Sequence, residues 1–120
     1  MAVMERIVDP VAEAVVCWRT AEEGGRQSGP PTAPVYTATS VFVLGDDSDL
    51  QPDWPWSADP KLSIWIQRIA LRDDGSWLCK VDFPFRDLAV PYIVQEGEFL
   101  IMEGPTIVAH AQFTVVHLHR

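Results

Sequence analysis

Residues 96–116, EGEFLIMEGPTIVAHAQFTVV, most constrain what this chain can fold into, because two apolar runs flank a turn made of Glu103, Gly104 and Pro105. They predict a closing β-hairpin. The same grammar recurs upstream. Residues 11–20, VAEAVVCWRT, are β-branched and aromatic and lack the i, i+3, i+4 apolar spacing of a surface helix, so they predict a first strand. Val11, Val15 and Cys17 alternate there with Ala12, Ala14, Val16 and Trp18, and both faces are expected to be partly covered. Residues 21–34, AEEGGRQSGPPTAP, hold three glycines and three prolines and predict an irregular loop. Residues 35–44, VYTATSVFVL, predict a second strand that stops at Gly45.

Residues 45–60, GDDSDLQPDWPWSADP, carry five aspartates, three prolines and two tryptophans, which no helix or sheet interior accommodates. A long surface loop is expected, and long loops without regular structure are often functional. Beyond it, KLSIWIQRIAL (61–71) and SWLCKVDFPF (76–85) are joined by RDDG and should pair as a hairpin. Trp77, Cys79, Val81 and Phe83 share one face and predict core, whereas Lys80 and Asp82 fall on the other. A short helical turn is expected near Asp87. The sum is about six strands divided by Gly-, Pro- and Asp-rich turns, hence an antiparallel all-β domain. A small closed barrel is favoured over an open sheet because closure removes exposed edges.

At 120 residues, 48% of them hydrophobic, the chain is expected to form one domain over 1–120 with a single core. A formal charge of −8 opposes binding to a polyphosphate backbone, which depends on Lys and Arg, and favours a basic or neutral partner. The N-terminus has no signal-peptide pattern and no run is long and apolar enough for a membrane helix, so a cytoplasmic location without membrane contact is expected. Cys17 and Cys79, without CxxC or zinc-finger spacing, read as two buried free thiols in a reducing compartment. No cofactor is expected.

Two stretches resemble the C-terminal β-barrel domain of translation elongation factor Tu. AEEGGRQSGPP is similar to the EEGGR loop that follows that domain's opening strand, and residues 96–116 are similar to its closing strand pair. VDFPF lies where the family has a V-x-L-x-x-P-I strand, and the likeness covers about residues 11–116. The resemblance implies a six-stranded antiparallel closed barrel with long Pro-, Gly- and Asp-rich loops. It implies no GTPase, since the nucleotide-binding domain and any GxxxxGK[ST] are missing. The family's loop continues into a G-Y-R-P motif that faces RNA and partner proteins. Here GPPTAPVY keeps a proline and the aromatic Tyr36 but no arginine, so the resemblance carries partner contact to Tyr36 rather than tRNA binding. Residues 45–60 stand as an insertion without a counterpart.

The candidate partner-binding residues are Trp54, Trp56, Asp53, Arg26 and Tyr36. Trp54 and Trp56 bracket a stiffening proline, and rigid aromatics on a loop are common binding anchors. Asp46, Asp47, Asp49, Asp53 and Asp59 would surround them with an acidic rim. The competing expectation is that both indoles fold back and plug an open end of the barrel. Arg26 can lock its loop by bonding carbonyls or Glu22 and Glu23, or can face solvent. His117 and His119 could present two metal ligands from one strand, but His110 has the opposite parity and joins them only across a bulge. DDSD lacks the glycine and distal glutamate of a calcium loop. No catalytic signature is present. The leading expectation is a non-catalytic barrel that binds a protein, such as an immunity-type antagonist or regulator of a basic protein. The alternatives are a translation-associated RNA-binding barrel and a small metal-binding protein using His117 and His119. A loop of this kind can also bury itself against a second copy.

Overall fold

The computed structural model describes residues 6–43, 53–58 and 60–117. Six strands, β1 (Ala12–Trp18), β2 (Tyr36–Phe42), β3 (Lys61–Leu71), β4 (Trp77–Asp82), β5 (Glu98–Glu103) and β6 (Thr106–Val116), form a closed antiparallel barrel in the order β1-β4-β3-β2-β5-β6. The predicted hairpins are β3–β4 and β5–β6. RDDG makes the first turn, with Gly75 at a positive φ of 88° and Arg72 N donating to Ser76 O at 2.8 Å. The short helix expected near Asp87 is α1 (Arg86–Ala89), continued by a 3-10 turn at Val90–Tyr92.

Alternation decides what faces inward. Ala12, Ala14 and Val16 of β1 meet Trp77, Cys79 and Val81 of β4, and Phe83 completes the predicted core set. Burial pushes the Cys79 thiol up to about 12 against the opposing pull of the Arg68 charge, whereas Cys17, expected to be buried as well, points outward from β1 and is exposed. Phe99 and Phe113 pack at 4.5 Å between centroids across β5 and β6. Ser40, buried on the inward face of β2, donates to Leu62 O at 2.8 Å. Asp82, expected on the solvent face, is buried because it accepts from Phe83 N at 2.8 Å and holds Arg86 of α1 at 2.7 Å.

Both ends are closed by aromatics from the strand termini and, at one end, from the 3-10 turn. Trp18, Tyr36 and Trp77 meet edge-to-face at one end, with centroid distances of 5.4 and 5.1 Å. Phe42, Phe83 and Tyr92 close the other end, where Phe42 stacks on Tyr92 at 5.1 Å. Register shifts mark bulges between Glu13 and Ala14 against β6, between Arg68 and Ala70 in β3, and between Ile101 and Met102 against β6. Outside the barrel wall, Val41, Leu100 and Met102 form a second, smaller buried cluster.

Candidate interaction surface at the β5–β6 turn

The turn between β5 and β6 has two connecting residues, and Gly104 takes a φ of 55°, the left-handed conformation that tight hairpins require. Glu103 precedes it. One carboxylate oxygen of Glu103 accepts hydrogen bonds from both the Arg26 guanidinium and the Tyr36 hydroxyl. Arg26 also donates through Nε to Gly29 O at 2.9 Å, and its Cζ lies 5.4 Å from the Tyr36 ring centroid. Burial and the neighbouring carboxylate push the Tyr36 phenol well above its ordinary value. Arg26 is raised as well: burial disfavours its charge, but the bonds to Glu103 and Tyr36 outweigh that.

Arg26 reaches the turn because the loop before it is locally determined. Thr20 N donates to the Glu23 carboxylate at 2.9 Å and Glu23 N donates to Thr20 Oγ1 at 3.2 Å, a reciprocal pair that winds residues 20–25 into a tight turn. These bonds hold Glu23 below the usual carboxylate range. Gly25 is required because a Cβ there would stand 2.4 Å from the Arg19 carbonyl oxygen. Arg26 therefore binds a carbonyl, as one reading of the sequence had it, but its acid is Glu103 on the distant hairpin rather than Glu22 or Glu23.

The tryptophan loop approaches the same turn from another side. Residues 53–58 are curled by Ser57 N donating to Asp53 O at 2.9 Å and Ala58 N to Pro55 O at 3.0 Å. Trp54 and Ala58 pack with Val43 and Ile107 over Val41, Leu100 and Met102. Trp54 thus covers the outer wall of β2 and β5, and neither tryptophan is needed to plug an end that other aromatics close. Trp56 points away, 49% exposed, with Nε1 donating to Pro105 O at 2.7 Å and its own carbonyl accepting from Lys61 Nζ. Asp53, next to Trp54 in sequence, is exposed.

Residues 103–105 therefore gather three of the five candidate residues, Arg26 and Tyr36 through Glu103 and Trp56 through Pro105, while Trp54 sits on the apolar outer wall of β2 and β5. Sequence reasoning missed Glu103 and Pro105 as participants. An acid at a hairpin tip was the only available signal, and its partners lie 67 and 77 residues away. Asp46, Asp47, Asp49, Asp59 and His119 lie outside the described residues. His117 pairs with Glu13 at 3.1 Å. The bulge at Thr114 sets His117 and His110 on the same side of β6, but seven residues of strand keep them roughly 20 Å apart. No group of three or more metal-ligating side chains occurs among the described residues. No described helix is long and apolar enough to cross a membrane. No family model matches the chain, and no curated protein or solved structure matches it.

Proposed function

We propose that this chain is a non-catalytic, cytoplasmic binding module, a free-standing relative of the elongation-factor barrel, that engages a basic protein through a surface centred on Trp56. The carrying observation is a half-exposed indole held on a fixed scaffold, with its N–H bonded to Pro105 and its loop anchored by Trp54. An aromatic fixed before binding loses little conformational freedom when it docks, the usual property of an interface hot spot. Asp53 and the net charge of −8 add attraction for a basic partner and speed encounter. Arg26, Tyr36 and Glu103 satisfy one another and act as a clamp under this surface. An antagonist of a basic toxin fits the same chemistry.

The test is capture of partners on immobilised protein, with Trp56→Ala as the variant. Capture should fall by about 2 kcal/mol in affinity, roughly thirtyfold, with the melting temperature little changed. Undiminished capture by a folded Trp56→Ala protein would remove this surface from consideration.

A further inference from the structure

The pairing of β2 with β3 ends at Tyr36 and Ile66, yet β3 runs on to Leu71. Over residues 67–71 β3 bonds to β4 on one side, and among the described residues no main-chain bond is made on its other side, the one further backbone contact being Ile7 N donating to the Gln67 side chain at 2.7 Å. The cause lies in the sequence. A continued register would set Pro34 opposite Arg68 and Pro31 opposite Leu71, and proline has no N–H to give. The chain instead peels away and leaves a cleft of about 430 Å³ between residues 31–34 and the β3 edge.

This edge carries both polar and apolar side chains, with Gln67 and Arg68 lining the cleft. Ile69 and Leu71 are 45% and 63% exposed. Arg68 is the only ionised residue lining the cleft; its guanidinium carbon lies 5.0 Å from the Trp77 ring centroid, and it has no carboxylate partner among the described residues. An unneutralised cation held on an aromatic ring selects for an anion. The bulge at Ile69 limits regular pairing to a few residues, which suits a short peptide better than a long edge-to-edge sheet.

We propose that the β3 edge at 67–71 is a strand-addition site for an extended peptide segment of a partner protein. The segment supplies main-chain hydrogen bonds to β3, apolar side chains against Ile69 and Leu71, and one carboxylate side chain to Arg68. This site is separate from the Trp56 surface and goes beyond the reading given above.

The test is selection of random seven-residue peptides displayed on phage against the full chain, followed by hydrogen exchange with a synthetic copy of the enriched sequence. Enriched peptides should carry Asp or Glu between apolar residues and slow exchange of the 67–71 amides at least about tenfold. Arg68→Gln should weaken binding by about tenfold and Arg68→Lys by less, with unchanged melting temperatures, and Trp56→Ala should have no effect. Enrichment of no peptide, undiminished binding to Arg68→Gln, or unprotected 67–71 amides would overturn the assignment. Protection of the same amides that rises with protein concentration alone would give the edge to a second copy and overturn it equally.

Discussion

The two loops fastened to residues 103–105 are held by different forces. The EEGGR loop is determined locally, by the Thr20–Glu23 reciprocal bonds and the glycine contact at Gly25, and is then tied to the hairpin by charge through Arg26 and Glu103. The tryptophan loop is attached by burial of Trp54 on the outer wall, with one indole hydrogen bond at its tip. One loop is closed by backbone geometry and the other by an apolar footing. The difference shows how one turn can carry a rigid clamp on one side and present a contact residue on the other.

Substitutions can break each attachment separately. Gly25→Ala should be the most damaging, because the new methyl meets backbone rather than a yielding side chain; a loss of about 3 kcal/mol is expected in denaturant unfolding. A near-neutral result would mean that the loop is not closed at Arg19. Trp54→Ala should cost about 2 kcal/mol, below the range for a fully buried aromatic because Trp54 is only partly covered, whereas Trp56→Ala should cost under about 1 kcal/mol. Equal losses at the two tryptophans would erase the distinction between footing and contact.

That distinction marks where sequence reasoning stops. Strand existence and the inward face of β4 follow from a period of two, and β3 begins and ends where its pattern does, at Lys61 and Leu71. For Arg26 the sequence offers a lock and a solvent-facing side chain side by side, since paired glycines leave a loop that a planar fork can close but do not require it to. Glu103 does not follow, because nothing local to residue 26 points to residue 103. Trp54 and Trp56 are equivalent as letters. They part only because the outer faces of β2 and β5 are apolar: Val41, Leu100 and Met102 stand in the unbroken apolar runs 41–43 and 99–102, which signal cover on both faces without saying which loop supplies it. The six-stranded barrel, expected from turn chemistry and from the elongation-factor likeness together, is present.

The smallest effect concerns Tyr36. Its folded value is raised above the ordinary 10.0 by burial and by Glu103, so the neutral phenol contributes stability that is complete below about pH 10 and declines as pH rises further. Unfolding free energy followed upward from pH 9 should therefore fall more steeply for the wild type than for Tyr36→Phe. Parallel curves would mean that the phenol is not held in the Glu103 clamp.

The role of residues 103–105 as the common fastening is tested most directly by a double-mutant cycle. Arg26→Gln removes the charged tie to Glu103, and Trp56→Phe removes the indole N–H that binds Pro105 while keeping an aromatic ring. Fastening both loops to residues 103–105 predicts that the combined loss of stability departs from the sum of the single losses by about 0.5 kcal/mol or more. Strict additivity would contradict it, leaving two independent loops that happen to end at the same place.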